Sequence, residues 1–139
     1  MKSLKMGFLI FVLTVCIGLI AGCSGGSSSS GGGGGDLTGN WTGTWVSSVF
    51  VAWGNVSMNI VQSGTSISGS AVLTGSPNFR NCTISGSVSG NNMTATVVSG
   101  SNTAVFTGTY SSTSMNGTYG ITTGASAGDF GTFSMNKQT

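Results

Sequence analysis

The segment that decides the fold is residues 66–73, Ser-Ile-Ser-Gly-Ser-Ala-Val-Leu, in which an apolar residue or glycine occupies every second position. Successive side chains of an extended strand point to opposite sides, so Ile67 and Leu73 share one face while serines fill most of the other. No stretch after residue 35 has the apolar spacing of a helix. The alternation therefore predicts half-buried antiparallel strands. It recurs at residues 82–89, 93–97, 104–110 and 115–121.

Short clusters of Gly, Ser and Asn separate these segments, and such close spacing is typical of hairpins. Hairpin-linked strands in sequence order form an up-and-down sheet, so we predict an all-β fold, an antiparallel barrel of about eight strands. A β-sandwich is the alternative. The predicted strands begin near Asn40, Val56, Thr65, Cys82, Met93, Thr103, Ser114 and Asp129.

A five-residue unit (apolar, any, Gly, Ser or Thr, apolar) recurs within the predicted strands and places a glycine on the apolar face. Glycine weakens a strand, so its repeated use indicates tight coiling or close backbone approach, as at the bends of a small barrel. The many glycines and alanines on this face favour an apolar interior over a membrane-spanning barrel with its apolar face toward lipid. The unit occurs at residues 41–45, 67–71, 84–88, 106–110 and 115–119.

The N-terminus has the layout of a secretory signal, with the basic residues Lys2 and Lys5, an apolar run and then small residues. The run ends in Ile20-Ala21-Gly22-Cys23, which resembles the lipobox of bacterial lipoproteins. The resemblance implies that residues 1–22 are a signal peptide in a helical segment and that Cys23 is diacylated with fatty acids such as palmitate. The alternative is an N-terminal transmembrane helix, although the run is a little shorter than the ~20 residues that a span needs.

The same resemblance implies a location. Lipid on Cys23 would anchor the protein in the membrane of the cell envelope. In a Gram-negative cell, Ser24 after the cysteine would imply the outer membrane, with the periplasmic or surface face left open. Residues 24–35, SGGSSSSGGGGG, form a flexible coil with nothing to bury. We therefore divide the chain into the signal 1–22, the lipidated cysteine and linker 23–35, and one β-barrel domain 36–139.

The exported residues offer little for catalysis. The sequence has no histidine, and after Cys23 its charged residues are Arg80 and Lys137 against Asp36 and Asp129. Neither a nucleophile with its base nor a metal-ligand cluster can be assembled from this set, so we expect no enzyme activity, no metal and no cofactor. The balanced charge also argues against a nucleic acid partner.

The remaining cysteine is Cys82, because Cys16 lies in the signal and Cys23 would carry lipid. A disulfide within the mature chain is therefore excluded. Cys82 falls on the apolar face of its strand, which favours a buried, inert thiol over a reactive one.

The first predicted strand contains Gly39-Asn40-Trp41. A G-x-W sequence at this place in an up-and-down barrel resembles the calycin superfamily, which includes lipocalins and avidins. The resemblance implies that Trp41 closes one end of the barrel and that a basic residue on or after the last strand packs over its ring. Lys137 stands at that position, and a cation over an indole contributes roughly 0.5–2 kcal/mol.

Binding is the activity that such a barrel implies, and we expect a small apolar or amphipathic ligand inside it. Residues 49–53, Val-Phe-Val-Ala-Trp, are either a flap over the barrel mouth or the end of a long first strand. The alternative functions are a protein-binding or inhibitory lipoprotein, with Pro77, Phe79 and Arg80 as contacts, and a structural surface-coat protein. The candidate ligand-binding residues are Trp45, Phe50, Trp53, Phe106, Tyr110 and Tyr119.

Overall fold

The computed structural model describes residues 35–139. The predicted signal peptide, the predicted lipidation site Cys23 and the linker up to residue 34 lie outside the described residues. Within residues 35–139, no helix has the length and apolar character needed to cross a membrane.

Eight strands form one closed barrel, in which each strand pairs antiparallel with the next along the chain. The last strand pairs back with the first, from Trp41 opposite Lys137 to Ser47 opposite Gly131, so the sheet has no free edge. The predicted all-β up-and-down barrel is confirmed, and the β-sandwich alternative is wrong. The strands are β1 Gly39–Ser47, β2 Trp53–Ser63, β3 Ser66–Leu73, β4 Cys82–Ser89, β5 Asn92–Ser99, β6 Asn102–Tyr110, β7 Ser114–Thr123 and β8 Phe130–Lys137.

The connection between β1 and β2 differs from what the sequence indicated for residues 49–53. β2 begins at Trp53 and not near Val56, and Trp53 pairs with Val46 of β1. Residues 48–52 form the connecting loop, closed by the Ser47 N–H, which donates to the Ala52 carbonyl at 2.9 Å. The hypothesis that these residues extend the first strand is therefore wrong.

The apolar face of every strand points into the barrel. Along β2, the buried residues Val56, Met58 and Ile60 alternate with exposed Ser57 and Asn59. The expectation of an apolar interior with a hydroxyl- and amide-rich outer face is confirmed. Because apolar burial supplies most of the driving force for folding, this interior is the main source of stability. Its largest fully buried side chains are Trp41, Phe79, Phe106, Leu37, Ile60, Met93, Met115 and Met135.

The mid-strand glycines lie where neighbouring strands come closest. A Cβ atom on Gly43 would overlap the Ser134 carbonyl oxygen of β8 and lie 2.6 Å from the Met135 Cα. Gly108 and Gly117 face each other across β6 and β7, and a Cβ on either would meet the backbone of the other strand. The close approach expected from the repeated unit is therefore present, and it allows the small barrel to coil tightly.

The two ends of the barrel are different. The proximal end carries both termini of the described chain, and there Trp41 is fully buried and donates from Nε1 to the Leu37 carbonyl at 2.8 Å. Lys137 Nζ lies 5.7 Å from the centroid of the Trp41 ring and donates to the Asp36 carbonyl at 2.9 Å. These residues cover the proximal end. The distal end is formed by the loops 48–52, 74–81, 100–101 and 124–129.

Candidate ligand-binding site

A cavity of about 120 Å³ lies inside the distal end of the barrel. We call it the distal cavity. Strand residues form its wall, and three of the distal loops contribute the rest of its lining. Phe50, Gly75 and Pro77 line the cavity and are themselves exposed, so it reaches solvent between their loops. Its lining is Trp45, Phe50, Ala52, Leu73, Gly75, Ser76, Pro77, Phe79, Ala104, Phe106, Tyr119, Ile121, Ser126 and Asp129.

Aromatic rings dominate the wall of the distal cavity. Tyr119 stacks on Phe106 with ring centroids 5.6 Å apart, and Trp45 meets Tyr119 edge-on at 6.1 Å. The indole of Trp45 is also fixed by a hydrogen bond to a distal loop, because its Nε1 donates to the Thr74 carbonyl at 3.0 Å. Phe133 extends the cluster toward the middle of the barrel, 5.1 Å from Phe106. Such contacts fix the ring positions, so the wall is preformed.

One carboxylate belongs to this apolar lining. Asp129 is 6% exposed, and its oxygens accept hydrogen bonds from Ser47 Oγ at 2.5 Å and from the Tyr119 hydroxyl at 3.2 Å. Burial raises the pKa of Tyr119, and the nearby negative charge of Asp129 raises it further, so the phenol stays neutral and donates. Within residues 35–139, no three His, Cys, Asp or Glu side chains are grouped closely enough to hold a metal ion.

Ser47 connects this carboxylate to the loop over the cavity. Its Oγ donates to Asp129 and accepts from the backbone N–H groups of Val49 at 3.1 Å and Phe50 at 2.8 Å. Residues 48–50 are thereby tied to the barrel. Phe50 consequently lines the distal cavity although its side chain is 58% exposed.

Four of the six ligand-binding candidates named from the sequence, Trp45, Phe50, Phe106 and Tyr119, lie together around the distal cavity. Trp53 does not, because it lies on the outer face of β2 and is 72% exposed. Tyr110 is the last residue of β6, and it is buried at the proximal end opposite Met115. Neither Trp53 nor Tyr110 therefore lines the cavity.

The loop named as a protein-contact surface is divided between inside and outside. Pro77 and Arg80 are exposed, as a contact surface requires. Phe79 is only 2% exposed and lines the distal cavity, so the prediction that it contacts a partner at the surface is wrong. The Phe79 carbonyl accepts from the Leu73 N–H at 3.0 Å, which draws this part of the loop against the end of β3.

Sequence reasoning missed Ser47, Ala104 and Asp129 as parts of this site. Ala104 lies on the predicted apolar face, but nothing local distinguishes it from alanines elsewhere in the interior. In the sequence, Asp129 is distinguished only as one of the two carboxylates of the chain. Its buried hydrogen-bond partner Ser47 lies 82 positions away in the chain, so no short sequence pattern could reveal the pair.

The distal rim also carries exposed apolar side chains. Val46 and Trp53 pair across β1 and β2, and the Phe130 carbonyl accepts from the Ser48 N–H beside them. Apolar residues at outward strand positions were the available signal for this patch. Its members are Val46, Val49, Phe50, Val51, Trp53 and Phe130.

Cys82 is a free thiol buried on the inner face of β4. Burial raises its pKa, which keeps the thiol protonated and a poor nucleophile. Cys82 is not among the residues that line the distal cavity. It packs in the core.

No protein-family model, curated protein or solved structure matches this chain. Its class is therefore defined by the fold, a small closed antiparallel barrel of eight strands consistent with a calycin-like architecture.

Proposed function

We propose that the protein is a membrane-anchored lipoprotein whose barrel binds a small apolar or amphipathic ligand in the distal cavity. The observation that carries the binding proposal is the cavity itself, lined by preformed aromatic rings and open between exposed loops. Cavities of this kind, mostly apolar with a few placed polar groups, are typical of small-molecule sites. The anchor rests on the lipobox resemblance at Cys23.

The volume limits the ligand. A cavity of about 150 Å³ holds a benzene molecule, so the 120 Å³ of the distal cavity suits a group of about five or six heavy atoms. A long acyl chain does not fit inside. The ligand is then a compact molecule, or the compact end of a longer one whose remainder leaves between the loops that carry Phe50 and Pro77.

The position of the cavity agrees with a tether at the N-terminus. The described chain enters β1 at the proximal end, whereas the cavity opens at the distal end. A lipid on Cys23 with a flexible linker would attach the barrel to the membrane through its proximal end, and the mouth lies at the opposite end of the barrel. A ligand would then enter from the aqueous side.

Binding is tested by filling the cavity. In a Trp53→Phe background, we expect cyclopentanol, which lies within this size limit, to change the fluorescence of Trp45 saturably, while the fluorescence of Trp41 at the proximal end stays constant. Ala104→Leu should abolish the change, because the added carbons occupy the cavity, and it should cost little stability. The matched change Ala95→Leu enlarges an alanine that is not in the lining, so it should keep binding but lose ~1–3 kcal/mol in urea unfolding through overpacking.

Two results would contradict the proposal. One is the absence of any saturable signal with the wild-type cavity. The other is equal ligand binding by the Ala104→Leu and wild-type chains, which would place the ligand elsewhere.

The anchor is tested by metabolic labelling with radioactive palmitate. We expect label on the wild-type chain and on Cys16→Ala, and none on Cys23→Ala, because diacylation requires the thiol at the cleavage point. Label that persists on Cys23→Ala would refute the lipoprotein assignment and leave the binding proposal untouched.

The exposed apolar patch of the distal rim supports protein binding as the second candidate function. Contiguous exposed apolar side chains often mark contacts with another macromolecule. The cyclopentanol experiment separates the candidates, since a barrel that acts only through its outer surface gives no saturable Trp45 response.

A further inference from the structure

The distal cavity contains a negative charge with no matching cation. Among the described residues, the carboxylate of Asp129 accepts hydrogen bonds from the hydroxyls of Ser47 and Tyr119, which are neutral. Arg80 is exposed and Lys137 is at the proximal end, and neither lines the cavity. A buried carboxylate held only by neutral donors is costly, and a cation beside it would reduce that cost.

Two hydrogen bonds leave this carboxylate able to interact further. An ionised carboxylate has about four acceptor sites, and the hydroxyls of Ser47 and Tyr119 occupy one on each oxygen. Asp129 is only 6% exposed, and it forms part of the cavity lining. Its negative charge therefore acts across a space largely shielded from water, where electrostatic attraction is stronger than at the surface.

The remaining lining suits the same kind of ligand. Trp45, Phe106 and Tyr119 stand around the cavity, with the rings of Phe50 and Phe79 nearer the loops. The face of an aromatic ring attracts a cation, and rings grouped around an alkylated ammonium ion are a common way to recognise it. The methyl groups of such an ion also bury apolar surface against the rings.

We propose that the distal cavity binds a small organic ammonium ion, with Asp129 as counter-ion and the surrounding aromatic rings as its walls. This inference rests on the proposed binding function and specifies the chemical class of the ligand. A trimethylammonium group has four heavy atoms and falls within the size set by the 120 Å³ volume. A longer substituent on the nitrogen would leave through the mouth beside Phe50.

The test compares two probes of the same shape. Choline carries a trimethylammonium group, and 3,3-dimethylbutan-1-ol replaces its nitrogen with carbon and so removes only the charge. Binding to the full chain is measured by calorimetry in a maltoside detergent and phosphate buffer, because amine buffers and choline-headgroup detergents would compete. Sodium chloride matches the ionic strength of the choline chloride titration.

We expect the wild-type chain to bind choline at least about ten-fold more tightly than the alcohol, within the range of cation–ring attraction in a desolvated site. Asp129→Asn should lower the affinity for choline by about ten-fold or more, so that the preference for choline over the alcohol is lost. Asp36→Asn is the matched control, since it removes the same charge from an exposed residue at the proximal end and should leave both affinities unchanged.

The outcomes separate this inference from the proposed function. Equal affinities for the two probes, or a choline preference that persists in Asp129→Asn, would overturn the ammonium site while the binding function stands. Failure of choline, 3,3-dimethylbutan-1-ol and cyclopentanol alike to bind would overturn both. The wild-type comparison does not depend on any variant folding, and circular dichroism checks the fold of Asp129→Asn.

Discussion

Gly43→Ala is expected to destabilise the barrel by about 3 kcal/mol or more, at or above the upper end of ordinary overpacking costs. The added Cβ would overlap the Ser134 carbonyl oxygen and crowd the Met135 Cα. Both atoms are backbone, and both belong to the β1–β8 pairing that closes the barrel. A side chain could rotate away, but this backbone can move only by separating the two strands.

Gly120→Ala is the matched control for this change. Gly120 lies in β7, and a Cβ there would meet nothing within 4 Å. We expect this variant to gain about 0.4–1 kcal/mol, because alanine restricts the unfolded chain more than glycine does. Urea unfolding followed by tryptophan fluorescence measures both. Similar midpoints for the two variants would show that close strand approach does not explain the glycine at position 43.

Trp41→Ala is expected to cost about 3–5 kcal/mol, the usual penalty for removing a fully buried large aromatic side chain. Trp41 is 0% exposed, and its Nε1 satisfies the Leu37 carbonyl. Its loss would leave a void at the proximal end and remove the ring beneath Lys137. We expect a lower midpoint of urea unfolding and loss of protection from hydrogen exchange at the first residues of β1.

Trp53→Ala makes the same chemical change at an exposed site. Because Trp53 is 72% exposed, we expect a loss within about 0.5 kcal/mol, as for most surface substitutions. Lys137→Met tests the cation separately, and it should cost roughly 0.5–1 kcal/mol, the lower part of the range for cation–ring contacts, because Lys137 is only half-buried. Equal losses for Trp41→Ala and Trp53→Ala would contradict the assignment of Trp41 to the closed end.

Much of the fold followed from the sequence because its strands are amphipathic and its hairpins are short. The alternation in residues 66–73 assigns each side chain to a face, and burial confirms that assignment at Ile67, Ala71 and Leu73. The turn clusters then order the strands. All predicted strand starts lie within three residues of the observed ones, with the largest difference at β2.

The candidate site was only partly predictable. Trp53 and Tyr110 are aromatic like the cavity residues, but one lies on the outer face and the other at the proximal end. Phe79 lies in a loop, where no periodic pattern applies, and the fold turns it inward. The sequence identified aromatic residues as the right kind of lining. The position of each aromatic residue along the barrel axis, however, depends on the register between strands.

The alternating sequence by itself determined that this chain forms strands and which side chains enter the barrel. These are local properties, since each depends on a residue and its near neighbours along an extended backbone. Only the tertiary structure decided where the cavity opens and that Asp129 is buried in its wall. The physical reason is that the distal cavity is built by loops and strands far apart in the chain, which meet only when β8 closes on β1.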